Sequence, residues 1–274
     1  MKNGIIGVII ALLILGVFVP TTQAQYFRFN NIQADGNQTQ KQRAELSVEA
    51  ILKMFGTMVG SGQYQTAEMH SLLGFDVGMR GVLTTVPSEF EDLPVFLGDG
   101  EVGLAFLHAS LGLPGKLELF GRFFYLPLGA ESDPANLAPQ NAADSRGGVT
   151  LIGGGLKYGL VQMPGTPKIM LMGTYHQLLV PDEFDFGNVG TLSLNAVISH
   201  SLAVLSIYAG AGVDITNLTV NDDSPLLPGQ SFTENGFKYT LGAKASVLPF
   251  VHISGAMNFG EFTSFDLGLG ISIR

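Results

Sequence analysis

The chain contains no cysteine. Disulfide frameworks, thiolate metal centres and cysteine nucleophiles are therefore excluded together. Charge is scarce as well: Asp, Glu, Lys and Arg make up 14 % of the 274 residues, against roughly 25 % in soluble domains. Basic residues are scarcer than acidic ones, 14 against 23, for a formal net charge of -9 and an isoelectric point near 4.9. Nucleic acid is not an expected partner, because phosphate binding needs a clustered basic face. Long apolar runs are missing except at the extreme N-terminus. That excludes a helical membrane bundle, whose spans each need about 20 consecutive apolar residues. The 36 glycines and 13 prolines follow no G-X-Y period, so collagen is excluded too. What is present is 46 % hydrophobic residues and a mean hydropathy of +0.32, high for a chain that lives in water.

The N-terminus reads as an address. Lys2 precedes an apolar stretch over 4–19, Pro20 breaks it, and Thr22-Gln23-Ala24 places small residues where a signal peptidase reads. A signal peptide over 1–24 is expected, cleaved after Ala24, from a Gram-negative type of exported protein. No cysteine follows the site, so a lipid anchor there is excluded. Thr39 and Gln42 have capping-box spacing, and Leu46, Ala50, Met54, Phe55, Met58 and Val59 recur at helical intervals until Gly60-Ser61-Gly62. This predicts an amphipathic helix over about 39–59, within a periplasmic segment 25–69. Its apolar stripe of Leu46, Met54, Phe55 and Met58 must be covered, because an isolated helix of this length is marginal in water. The expected place is the periplasmic mouth of whatever follows, as a partial plug.

From Leu73 onward the period is two. Phe75, Val77, Met79 and Leu83 alternate with Asp76, Gly78 and Arg80, and Val102, Leu104 and Phe106 alternate with Glu101, Gly103 and Ala105. The same alternation recurs to Phe265, Leu267, Leu269, Ile271 and Ile273. Long connections (87–98, 127–145, 181–187, 217–235) take turns with short ones (113–115, 161–167, 200–201, 248–249). The fold class this implies is all-β: an up-and-down antiparallel transmembrane barrel over 70–274, with about ten strands (eight or twelve being alternatives) and both termini periplasmic.

Alternation alone does not say which face meets water, since a lipocalin-type barrel would turn its apolar residues inward. The opposite-parity positions are mostly small or isolated charges, too sparse for a soluble surface. Aromatics mark both strand ends: Phe123, Tyr125, Tyr175, Phe237, Tyr239 and Phe265 toward the outside, Phe75, Phe106, Tyr158 and Phe250 toward the periplasm. The charges assigned to the lumen balance, Arg80, Arg122, Lys157, Lys238 and Lys244 against Asp76, Glu101, Glu118, Asp214 and Asp266. A neutral network of this kind can be satisfied internally.

The run Gly62-Gln63-Tyr64-Gln65-Thr66-Ala67, then His70, then Gly74-Phe75-Asp76, resembles the entry to a functionally unassigned family of bacterial outer-membrane β-barrels. Leu119-Phe120-Gly121-Arg122, Gly154-Gly155-Leu156-Lys157-Tyr158-Gly159 and Tyr208-Ala209-Gly210-Ala211-Gly212-Val213-Asp214 fit the same resemblance. It implies a signal peptide, a short helix and a glycine- and aromatic-rich barrel, and it transfers no catalytic residue.

The chemistry open to such a chain is narrow. His108-Ala109-Ser110 and His252-Ile253-Ser254 have a His-x-Ser spacing used by outer-membrane phospholipases, but both lie beside short turns. His176, followed by Asp182, Glu183 and Asp185, is the one histidine expected at the outer rim. No enzyme activity, catalytic residue, metal or cofactor is expected. The outer connections concentrate acid: Glu89, Glu91, Asp92, Glu131, Asp133, Asp144, Asp182, Glu183, Asp185, Asp222, Asp223, Glu234 and Glu261, against Arg146. An acidic rim draws cations over roughly 8 Å in physiological salt, and divalent cations could bridge it to anionic lipid. The functional expectation is a porin-like barrel, a narrow or plugged pore or a route for a small apolar compound. The alternatives are a non-transporting surface-interaction barrel and a rim-site hydrolase. The expected partners are outer-membrane lipid and divalent cations, for a monomer.

Overall fold

The computed structural model describes residues 40–86, 101–127, 148–180, 187–222 and 227–273. The signal-peptide and Thr39 expectations lie outside these residues. One helix, α1 (Gln40–Gly60), precedes ten strands: β1 (Phe75–Thr85), β2 (Glu101–Leu113), β3 (Leu117–Pro127), β4 (Gly148–Val161), β5 (Lys168–Leu179), β6 (Gly187–Leu202), β7 (Leu205–Val220), β8 (Ser231–Ser246), β9 (Val251–Phe259) and β10 (Ser264–Ile273). Each strand pairs antiparallel with its sequence neighbours. β1 closes the sheet by pairing with β10 from Phe75↔Ile273 to Thr84↔Ser264.

Connections 114–116, 162–167, 203–204 and 247–250 lie at one end of the barrel, where β1 begins and β10 ends. The strand ends that flank the longer intervals of sequence, Thr85 and Glu101, Pro127 and Gly148, Leu179 and Gly187, Val220 and Ser231, and Phe259 and Ser264, lie at the other, the long-connection end. Two turns differ from their sequence-based positions. β6 and β7 pair on through His200↔Ile207 to Leu202↔Leu205, so the chain reverses at 203–204, with Ala203 in the left-handed region (φ 53°), rather than at 200–201. β7 and β8 likewise pair through Asn217↔Thr233 to Thr219↔Ser231, which shortens the connection expected over 217–235.

The outward face is apolar. Val77, Leu107, Leu119, Ile152, Leu156, Leu171, Leu194, Ile207, Leu241, Ile253 and Leu267 are all exposed. The aromatics assigned to the two belts are exposed on it as well, except Phe106. Phe106 is fully buried, because β2 has the parity opposite to the one expected: Phe106, His108 and Ser110 face the interior, while Leu107 and Leu111 face out. Beyond Glu101 the opposite parity near the start of β2 holds only Gly103 and Ala105, too small to mark a polar face. The backbone of Glu101 pairs with Thr85; the expectation that its side chain joins the lumen charges lies outside the described residues. Among the described residues no helix is long and apolar enough to cross a membrane. The packed core lies inside the barrel, between its wall and the residues that precede β1.

Candidate functional site

The lumen is filled by the chain's own segment 40–74, and the seam between that segment and the wall is the candidate site. α1 lies inside rather than beneath the barrel. Ala44, Ser47, Val48, Ala50, Leu52, Met54, Met58 and Val59 are buried, Phe55 is half-buried and Leu46 is exposed. The wall surrounds the helix, so burial runs round it instead of following the stripe of Leu46, Met54, Phe55 and Met58. The end also differs from expectation. Ala44, Val48 and Leu52 cluster with Val189, Leu218, Val220 and Leu227, all at the long-connection end. Ala50, Met54 and Met58 cluster there with Val86 and Phe262. The expected plug of the short-turn mouth is therefore corrected to a plug seated from the opposite end. Residues 61–74 complete the crossing; an extended chain advances about 3.3 Å per residue, ample for the height of a barrel.

A helix leaves its last carbonyls without intrahelical donors, and its C-terminus carries partial negative charge. α1 has no basic residue in its last turn; the wall supplies the cations. Arg122 of β3 donates from Nη1 to the Val59 carbonyl (2.7 Å) and from Nη2 to the Ser61 carbonyl (2.8 Å). Its guanidinium also stacks 3.9 Å from the centroid of the Phe106 ring. Lys238 of β8 donates to the Gly60 carbonyl (2.6 Å) and to Asp214 of β7 (2.8 Å). Gly60 sits so close to the Asp214 carboxylate that a Cβ there would collide with it, and Gly62 adopts φ 63° to turn the chain out of the helix. The sequence reading gave Arg122 an acidic partner; its guanidinium instead takes backbone carbonyls of the inserted segment.

Below this latch the segment is polar and so is the wall. Gln63 donates to the Val59 carbonyl and to Ser193, and accepts from Thr174 and Asn195. The Tyr64 hydroxyl donates to Thr240 (2.8 Å), and its ring meets that of Tyr208 edge-on. Arg80 donates to the Tyr64 carbonyl, Gln65, Ser254 and Asp266 (2.9 Å), and Asn258 donates to the other Asp266 oxygen. At the short-turn end Asp76 accepts from Gln65 (3.0 Å) and meets His108 (2.8 Å), with His252 at 3.4 Å and Lys244 at 4.0 Å. Glu118 pairs with Lys157 (2.5 Å) and His70 (2.7 Å) and accepts from the His70 backbone N–H. The structure thus brings Asp76, Arg80, Glu118, Arg122, Lys157, Asp214, Lys238, Lys244 and Asp266 into one lumen, five cations and four carboxylates among the described side chains.

Sequence reasoning missed Ser61, Gln63, Tyr64, Gln65 and His70. The available signal was an aperiodic polar run in an apolar chain. His176 is not at the rim. Its ring is fully buried inside the barrel, packed over Gly153, and neither ring nitrogen has a hydrogen-bond partner. His108, Ser110, His252 and Ser254 all face the lumen, away from lipid. Among the described residues no group of His, Asp and Glu is arranged to hold a metal ion. Of the rim acids, Asp222, Glu234 and Glu261 are described; Glu89, Glu91, Asp92, Glu131, Asp133, Asp144, Asp182, Glu183, Asp185 and Asp223 lie outside the described residues. Glu261 is paired, accepting from Lys53 of α1 (2.9 Å), and Glu234 stands 3.9 Å from the same ammonium. On the outer wall a recess of about 630 Å3 is lined by Leu156, Tyr158, Leu171, Leu194, Phe237 and Tyr239, with Gly173, Ala196 and Ala211 among them.

Solved structures similar to this chain include the translocator domain of autotransporter NalP from Neisseria meningitidis (11 % identity, 85 % of this chain and 97 % of that chain, TM-score 0.38). They also include a loop L8 deletion mutant of OmpT, an outer membrane protein of Vibrio cholerae (14 %, 73 % and 76 %, 0.34). A third is Ail, the attachment invasion locus protein of Yersinia pestis, in complex with the heparin analogue sucrose octasulfate (11 %, 73 % and 97 %, 0.29). No curated protein matches the chain. A family described as a family of unknown function, DUF6588, matches residues 1–96 and 97–273. That match runs over nearly the whole sequence, and the chain belongs to the DUF6588 family.

Proposed function

We propose that the protein is an outer-membrane barrel whose lumen is a pore held closed by the chain's own segment 40–74. The observation that carries this reading is the continuous occupation of the lumen, from Val48 and Leu52 at the long-connection end to His70 at the other. The apolar outward face with exposed aromatics supports the membrane assignment. The signal-peptide pattern supports export. The reading needs no cofactor and assigns no catalytic residue. A barrel of ten strands leaves little lumen once side chains fill it, and here a helix fills it as well. Small solutes would pass only when α1 or the stretch after it shifts. The uncovered wall would then carry Arg80, Arg122, Lys157, Lys238 and Lys244 against Asp76, Glu118, Asp214 and Asp266, giving a mild preference for anions. The competing reading, a non-transporting interaction barrel, differs in one measurable respect.

Planar-bilayer recording of the full chain separates the two. The expected result is a closed baseline with rare openings, and sustained conductance after Arg122→Gln together with Lys238→Gln, which unlatch the helix C-terminus and, by removing two of the lumen cations, turn the selectivity toward cations. A permanently silent barrel in both proteins, still heat-modifiable on gels and therefore folded, would favour the interaction barrel. Sustained conductance of the unmodified chain would contradict the plug.

A further inference from the structure

The inserted segment has a direction, and the direction decides where the amino-terminal part of the chain resides. α1 begins at the long-connection end: its first half packs on Val189, Leu218 and Val220, and Lys53 reaches Glu261 in the β9–β10 connection. Ser61 shares a hydrogen bond with Ser264 at the start of β10 (2.7 Å). The chain then descends. The Ala67 N–H donates to Ser199 (2.9 Å), His70 meets Glu118 and Ser272, and the Leu73 N–H donates to the Gly112 carbonyl (3.1 Å) where β1 starts. The segment crosses the lumen once, from long connections to short turns, without doubling back.

The crossing is polarised by complementary surfaces. At the upper wall Val86, Val102 and Leu104 meet the apolar side of α1. At the lower wall Asp76 meets Gln65, and Glu118, itself paired with Lys157, meets His70. Reversing the segment would set the apolar helix against buried carboxylates and leave Arg122 and Lys238 without the helix C-terminal carbonyls they hold, an arrangement that buried charge strongly disfavours.

In outer-membrane barrels the short turns are periplasmic and the longer loops extracellular. We infer that the barrel displays its own amino-terminal side on the cell exterior: the chain crosses the membrane once through the lumen before β1 begins, so that the start of α1 opens outward while β10 ends on the periplasmic side. The inference rests on the membrane reading above. It replaces the expectation of a wholly periplasmic N-terminal segment.

The cysteine-free sequence makes the test direct. Single-cysteine variants Lys41→Cys, Asp222→Cys and Met163→Cys are produced as full chains in cells. Each is checked for heat-modifiable gel mobility and treated with a polyethylene-glycol maleimide too large to cross the outer membrane. All three positions are exposed, at the start of α1, in the β7–β8 connection and in the β4–β5 turn. The expected result is a gel shift of Lys41→Cys and Asp222→Cys in intact cells, and of Met163→Cys only after the outer membrane is permeabilised. Lys41→Cys shifted only after permeabilisation, or in neither state, while Asp222→Cys shifts in intact cells, overturns the inference and leaves the membrane reading standing. Asp222→Cys and Met163→Cys shifted alike in intact cells would overturn both.

Discussion

Strand β4 presents Ile152, Leu156, Tyr158 and Leu160 outward, each about half exposed, and Leu151, Gly153, Gly155 and Lys157 inward. The outward set makes no specific partner; each member is apolar and of similar bulk. The inward set is individual: Lys157 is there for Glu118, and Gly153 leaves room for the His176 ring. The same contrast holds around the barrel. The apolar outward face needs only a pattern, whereas a face that meets the inserted segment needs particular residues at particular heights. Substitutions should therefore be tolerated on one face and graded by partner on the other.

The largest effect is expected where a buried charge loses its counter-ion. Arg80→Leu leaves Asp266 with Asn258 as its remaining described donor, and breaking such a pair costs about 3–5 kcal/mol. A denaturant titration in detergent should show the midpoint fall steeply; an unchanged midpoint would place Arg80 outside the network. Arg122→Leu should be of similar size although it orphans no carboxylate. Two charge-assisted hydrogen bonds to the Val59 and Ser61 carbonyls disappear, each worth about 1.5–3 kcal/mol. The same variant should raise bilayer conductance, which Arg80→Leu need not do. Gly62→Ala forces an alanine into the left-handed region against Arg80, at about 1–2 kcal/mol. Tyr64→Phe removes one hydroxyl bond to Thr240, worth about 1 kcal/mol. Leu156→Ile on the outer wall should shift the midpoint by no more than about 0.5 kcal/mol; a loss as large as that of Tyr64→Phe would blur the distinction between the faces.

That distinction also explains what was legible in the sequence. The barrel, its strand number and the boundaries of α1 follow from periodicity, because an apolar outer face and a filled interior enforce alternation strand after strand. β2 escaped, since Val102, Leu104 and Phe106 are apolar for a different reason: they face the helix and the latch around Arg122. The inward parity of Asp76, Arg80, Glu118 and Lys157 was readable from the same alternation. Their partners were not, because His70 lies 48 residues from Glu118 and Arg80 lies 186 from Asp266; register and closure decide those meetings, and no local pattern encodes them. The stretch 61–74 was least legible of all. It has no period to read, as its residues answer to many strands: Ser61 to β10, Tyr64 to β8, Ala67 to β6 and His70 to β3.

The central claim is that the chain's own segment occupies the lumen, and one cross-link tests it most directly. Ser61 and Ser264 lie with their hydroxyl oxygens 2.7 Å apart, both buried, one on the inserted segment and one on the wall. With no native cysteine to interfere, the double variant Ser61→Cys and Ser264→Cys, folded in detergent and mildly oxidised, should close a disulfide between segment and wall. The closed bond would show as a reductant-sensitive change in gel mobility and as loss of both free thiols. Two thiols that remain free and react with maleimide in the folded barrel would contradict the account.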